Sequence, residues 1–323
     1  MAEPIIEQVE KFALGKQDRP KAEFAKVGIV GCGSAGQRIA VLIAKRGIDV
    51  VFVETSQQKI DEAFEGIKVE LNFQLNHWGI TESEMKGTIN RIMGSTEYKS
   101  LEGCDLVIES VMIRNKELAI EERVKIFKEI EKYVSPNTII ATNSSTIPIT
   151  EIASKLENKH RCISMHISLT SPEAKLVEYV KSVYTSDEIE NNVQKFAILI
   201  GKTFIKVAES SGMVSVRLFA PMINDACRLF TEGVASIEKI DAAAKMSMNL
   251  PIGPFEMADK IGVDRVVRWL ENMYEEFGDL HFKPSPILKR LERAQQTGIE
   301  AGKGFYIYEA NGTKKTALTH FNF

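Results

Sequence analysis

His166 and Glu178, twelve residues apart in RCISMHISLTSPEAKLVEYV, are the residues of this chain best suited to acid–base chemistry. A histidine titrates near neutrality, and a carboxylate on its far nitrogen fixes the tautomer and stabilises the imidazolium. Ser145, in ATNSST, adds a hydroxyl able to hold a substrate oxygen. On spacing alone, a core histidine and a solvated glutamate remain the simpler account of the pair.

A second group of residues gives the pair a context. Gly31-Cys32-Gly33-Ser34-Ala35-Gly36 follows the apolar strand 27–30 and opens a helix. In that setting the glycines allow a tight turn and let backbone N–H groups approach a pyrophosphate, with the helix N-terminus adding partial positive charge. The next strand ends in VVFVE, which places Glu54 eighteen residues after Gly36. A carboxylate there accepts from both ribose hydroxyls and repels a 2′-phosphate, so NAD is expected over NADP. A glycine turn beside an incidental exposed Glu is the alternative. An acid–base histidine beside a bound dinucleotide reads as hydride transfer. Cys32 sits inside the loop, either as an oxidation-sensitive thiol or as a small side chain tolerated in a tight turn.

The elements that must position these residues follow an α/β pattern. VGIVG, VVFVE, CDLVIES, TIIATNSS, RCISMHI, KLVEYV and TFIKV read as buried strands, largely unalternated, as a covered parallel sheet requires. Helical spacing marks 35–46, 57–78 and 115–133 between them. The expectation is a Rossmann-like, doubly wound domain over 25–209. After about residue 210 the pattern turns helical, so 210–323 is expected to be an all-helical C-terminal domain, with an uninformative tail after Tyr308. Residues 1–24 read as an appendage, a short amphipathic helix (Ile5, Ile6, Val9, Phe12) and a polar linker.

Composition narrows the function class. A chain of 323 residues with 44% hydrophobic and 26% charged residues suits a two-domain globular protein. A formal charge of −3 gives no reason to expect nucleic acid or an anionic membrane as a partner. The apolar runs are strand-sized, and four scattered cysteines form neither a disulfide framework nor a metal site. Residues 1–21 carry Glu3, Glu7 and Glu10 and lack the make-up of a secretory or transit peptide, so a cytoplasmic location is expected.

Several long segments raise the resolution of this reading: VGIVGCGSAGQRIA, CDLVIES, ATNSSTIPITEIAS, MHISLTSPEAKLVEYV, RLFAPMINDACRLFTEGVASIEKIDAA, LPIGPFEMADKIGVD and GKGFYIY. Through them the chain resembles the short-chain L-3-hydroxyacyl-CoA dehydrogenase family over about residues 26–308. The resemblance implies an NAD-binding domain, a helical domain that forms a homodimer, and a short-chain acyl-CoA such as 3-hydroxybutyryl-CoA as substrate. It places the catalytic histidine on His166, its partner glutamate on Glu178 and the substrate-contacting serine on Ser145. The cofactor loop falls on Gly31, Gly33, Ser34, Ala35 and Gly36, the ribose acid on Glu54, and further cofactor-side positions on Glu109 and Lys116. The implied reaction is reversible, with His166 taking the 3-hydroxyl proton on oxidation and returning it on reduction.

The departures from the family pattern cluster on the substrate side. The family's HFFNP is His166-Ile167-Ser168-Leu169-Thr170, and a substrate-side asparagine is Val216, which neither donates nor accepts. Ser215 is adjacent but about 100° away on a helix. The family's CoA-contacting Ser and Lys fall on Glu70 and His77, and the loop through 112–125 is about five residues longer than usual. A C-terminal lysine falls on Glu300, with Lys303 nearby. Two alternatives therefore stand beside the acyl-CoA reading: a 3-hydroxy acid not carried on CoA, and a catalytically silent NAD-binding homologue.

Overall fold

The computed structural model describes residues 24–76, 79–113, 119–168, 174–309 and 312–318. Residues 1–23, His77, Lys116, Leu169 and Thr170 lie outside the described residues, and so do the expectations placed on them.

The first part of the chain runs β1 (Lys26–Val30), α1 (Ser34–Ala44), β2 (Asp49–Val53), α2 (Gln57–Asn76), α3 (Glu82–Ile89) and β3 (Ile92–Ser95). It continues through β4 (Leu106–Glu109), α4 (Ala119–Tyr133), β5 (Ile139–Thr142), α5 (Ile149–Ser154) and β6 (Cys162–Ile167). Then come β7 (Leu176–Lys181), α6 (Asp187–Leu199) and β8 (Thr203–Lys206). All seven strands read from the sequence are present. The eighth, β3, is short and half polar, so its apolar signal was too weak to stand out.

The strands form one sheet in the order β3-β2-β1-β4-β5-β6-β7-β8. Burial on both faces explains the continuous apolar runs. Val27, Ile29, Val50, Phe52, Leu106 and Ile108 face a core closed by Ile39 and Ile43 of α1, Ile67 of α2 and Phe196 of α6. Val30, Val51, Val107 and Ile140 face the opposite core, closed by Phe127 and Ile130 of α4 and Ile149 of α5. One departure matters for the site. β7 runs antiparallel to β6, in a register that sets His166 directly opposite Glu178. The two therefore meet one residue from the carboxyl end of β6, the end of the sheet where ligands bind in this architecture, although β7 approaches it from the opposite direction.

The helical C-terminal domain comprises α7 (Ser215–Thr231), α8 (Ile237–Met248), α9 (Pro254–Ile261), α10 (Val263–Phe277) and α11 (Pro286–Arg293). Its own core gathers Ile223, Phe255, Val266, Val267, Leu270, Leu288 and Phe305. A small antiparallel hairpin, β9 (Tyr306–Tyr308) with β10 (Lys314–Ala317), closes the domain and gives structure to part of the polar tail. Two buried aspartates fasten it. Asp259 accepts from the Phe305 and Tyr306 N–H groups at 2.8 Å and from Tyr308 Oη at 2.9 Å. Asp241 accepts from the Phe255 N–H and from Tyr306 Oη, both at 2.8 Å.

Candidate active site

The site lies outside the carboxyl ends of β1, β4, β5 and β6, at the switch point where strand order reverses. The helical domain covers it with Lys260, Arg265, Arg268, Trp269 and Asn272, and the cleft encloses about 160 Å³. That is below the usual volume of a site for a drug-sized ligand, roughly 300–1,000 Å³. Two contacts bridge the domains across it. Arg265 Nη2 donates to Ser34 Oγ at 3.1 Å, and Asn272 Nδ2 donates to Thr146 Oγ1 at 2.8 Å.

The glycine loop has the form a dinucleotide requires. Gly31 holds φ at +88°, and a Cβ there would press to 2.7 Å from Val111 Cγ2. At Gly36 a Cβ would fall 2.3 Å from the Gly31 carbonyl oxygen, so only glycine lets α1 start so close to the turn. Gly33 is different, because its missing Cβ faces open space. A side chain there would fill the cradle that phosphates need. Glu54 accepts from the Cys32 N–H at 2.6 Å and from the Thr55 N–H at 3.2 Å, which holds its carboxylate at the loop. The Cys32 thiol is buried and pushed up to about 12 by desolvation and by Glu54, so it stays protonated. Of the two readings of Cys32, the small tolerated side chain is the one that fits.

Glu109, at the end of β4, lines the cleft but is fully buried. Its carboxylate takes the Val111 N–H at 2.7 Å, Thr142 Oγ1 at 2.6 Å and Arg123 Nε at 3.2 Å. Arg123 also donates to the Val111 carbonyl at 3.3 Å. The pair thus fixes the floor of the cleft and the start of the long loop. Sequence reasoning missed Arg123, which reads as an ordinary helical arginine until the fold buries it.

His166, Ser145 and Asn143 line the same cleft. His166 Nδ1 lies 3.1 Å from the Asn143 carbonyl oxygen, which can only accept. Nδ1 therefore carries the proton and Nε2 keeps a lone pair. Asn143 is itself anchored, its Oδ1 accepting from the Ile167 N–H at 3.0 Å. Desolvation holds the His166 imidazole below the usual histidine range, opposed by the Asn143 bond and the Glu178 charge and reinforced by Arg265. The Ser145 hydroxyl is 4% exposed and has no hydrogen-bond partner among the described residues. An unpartnered buried hydroxyl is costly, and this one lies on the cleft wall, within reach of whatever the cleft takes.

Glu178 is 1% exposed and anchors the start of the helical domain. Its Oε1 accepts from the Val214 and Ser215 N–H groups at 2.8 and 3.0 Å, and its Oε2 accepts from Ser215 Oγ. Ser215 thus serves Glu178 and not the substrate side, while Val216 is buried in the helical core. Glu70 pairs with Gln74 on α2 and does not line the cleft. Glu300 faces Arg265, whose charge it favours.

Comparison with known proteins fits this architecture in two pieces. The profile of the 3-hydroxyacyl-CoA dehydrogenase NAD binding domain matches residues 26–210, and that of the 3-hydroxyacyl-CoA dehydrogenase C-terminal domain matches 212–308. The chain belongs to the 3-hydroxyacyl-CoA dehydrogenase family. It is an oxidoreductase of that family, with NAD as cofactor. A probable 3-hydroxybutyryl-CoA dehydrogenase of Bacillus subtilis is 34% identical over 287 residues, spanning 89% of this chain and 98% of the relative. Among solved structures, the (S)-3-hydroxybutyryl-CoA dehydrogenase PaaH1 of Ralstonia eutropha is 36% identical with a TM-score of 0.76, over 88% of this chain and 99% of that one. FadB2 of Mycobacterium tuberculosis superposes with a TM-score of 0.82 at 29% identity, with the same two coverages.

Proposed function

We propose that this chain interconverts a short-chain 3-hydroxyacyl-CoA, such as 3-hydroxybutyryl-CoA, and its 3-oxo form. The observation that carries the reading is the shared cleft wall. The unpartnered Ser145 hydroxyl and a histidine with a free Nε2 lone pair lie on it, beside the glycine cradle. Gly31, Gly33, Ser34, Ala35 and Gly36 would hold the dinucleotide's phosphates and Glu54 its ribose. When bound, the nicotinamide supplies hydride acceptance and donation.

The remaining chemistry belongs to the protein. His166 Nε2 removes the 3-hydroxyl proton on oxidation and returns it on reduction. Its lowered proton affinity keeps it a base at neutral pH. Glu178 positions and stabilises the imidazolium through its charge, and Ser145 holds the substrate oxygen. The test is oxidation of NADH with acetoacetyl-CoA, which His166→Ala should slow by about 10²–10⁴-fold.

A 3-hydroxy acid not carried on CoA is the second reading. It draws on Glu70, an acid where the resemblance puts a CoA contact, and is separated by running free acetoacetate beside the thioester. The same account divides the chain near residue 209, between β8 and α7, with a dinucleotide-binding part before it and a substrate-covering, dimerising part after it. A homodimer formed through the helical domain belongs to the same proposal and rests on the family resemblance. Light scattering tests it. No helix among the described residues is long and apolar enough to cross a membrane.

A further inference from the structure

Basic side chains from both domains line the cleft. Arg38 of α1, Lys260 of α9, and Arg265 and Arg268 of α10 all line it. Arg38 lies one helical turn after Ser34, and Arg268 lies three residues after Arg265, so each pair shares a helix face. Arg265 occupies the first turn of α10, where a helix dipole disfavours a cation. Its hydrogen bond to Ser34 brings it to the first turn of α1, a second positive helix end. Arg38 and Arg268 repel its charge, while Asp264 and Glu300 favour it. Glu109, the one carboxylate among the described cleft-lining residues, is paired with Arg123. The first turns of α1 and α10 meet at the Arg265–Ser34 contact, which places a guanidinium between two helix N-termini.

We propose that Arg265, carried by the helical domain, binds the pyrophosphate of the dinucleotide from the side opposite the glycine loop. Its bond to Ser34 marks the place. The guanidinium fork suits phosphate oxygens, and α10 delivers it across the cleft to the cradle left open at Gly33. The same helix supplies Arg265 and the cleft wall at Trp269 and Asn272, so the cofactor contact and the substrate wall share one element. The proposal rests on the glycine loop being the dinucleotide site. A phosphate of an acyl carrier would be recognised by the same chemistry, but Ser34 belongs to the loop itself, which favours the dinucleotide.

The experiment measures dissociation constants of NADH, by its fluorescence, and of ADP-ribose, by calorimetry. It compares the full-length protein with Arg265→Ala, Arg265→Lys and Arg265→Gln, each checked by thermal unfolding. Michaelis constants at saturating NADH are compared for acetoacetyl-CoA and for acetoacetyl-pantetheine, which lacks phosphates. Arg265→Ala should weaken NADH and ADP-ribose alike, by about tenfold or more, with Arg265→Lys intermediate. Should Arg265→Ala fail to fold, Arg265→Gln, which keeps a donor for Ser34 without the charge, gives the same comparison. Affinities within twofold of wild type in the folded variants would overturn the proposal. So would a Michaelis constant raised for the CoA thioester alone, which would give Arg265 to the carrier. Failure of the wild-type protein to bind NADH would instead bring down the reading of the loop, and the proposal with it.

Discussion

His166 and Glu178 stand opposite each other across the β6–β7 pair, yet each directs its hydrogen bonds elsewhere. The imidazole Nδ1 donates to the Asn143 carbonyl, and the carboxylate takes two backbone N–H groups and the hydroxyl at the start of α7. The glutamate therefore acts on the histidine through its field while tying the helical domain to the sheet. Removing it should have two separable effects. Glu178→Ala should cost about 3 kcal/mol or more of stability, because buried donors lose their acceptor, and should also slow turnover. Ser215→Ala should cost about 1–2 kcal/mol and leave the histidine's protonation nearly unchanged. Denaturant unfolding and kinetics on the two variants check this.

The pH profile follows from the direction of the His166 shift. Oxidation of the hydroxyl substrate needs the neutral ring, so kcat/KM in that direction should be level at neutral pH. It should fall only as pH drops through a value below the ordinary 6.5. Glu178→Gln removes a charge that favours the imidazolium, so the acid limb should move further down. An acid limb above 6.5 in the wild type, or an upward move in the variant, would contradict the assignment.

Ser145 offers a cleaner separation of binding from folding. Its hydroxyl has no partner to lose among the described residues, so Ser145→Ala should leave the unfolding free energy unchanged or raise it by about 1 kcal/mol. Activity should nonetheless fall roughly 10²-fold, the scale of one lost transition-state hydrogen bond. A large loss of stability, or full retention of kcat/KM, would show that the hydroxyl does not meet the substrate.

Asp259 gives a prediction in the opposite sense to ordinary acid denaturation. Burial raises its carboxyl to about 6 against three hydrogen bonds that favour the charged form. The folded protein then takes up a proton near pH 6 that the unfolded chain takes up only near the ordinary value of 3.8. Stability contributed by this group should grow as pH falls from 7 to 5, by about 1 kcal/mol, and Asp259→Asn should lose that gain. Unfolding of the pair at both pH values tests the sign.

Much of this was legible in the sequence because the signals were long or periodic. The glycine loop, Glu54 and the buried strands are local patterns, and the structure forms all seven expected strands. The antiparallel turn of β7 was not legible, because a buried strand has the same apolar pattern in either direction. Ser215 points away from the direction of Val216, and that direction places its hydroxyl on Glu178, a contact no local pattern announces. Arg123 and Arg265 carry no local signature. They matter through contacts made 14 and 231 residues away, with Glu109 and Ser34, and only the packed fold brings those together.

The central claim is tested most directly by following NADH oxidation with acetoacetyl-CoA, beside free acetoacetate and with His166→Ala as the control. Turnover of the thioester, none of the free acid, and a loss of about 10²–10⁴-fold in the variant are expected. Turnover that survives His166→Ala, or a wild-type protein that binds NADH and leaves the thioester untouched, would contradict it.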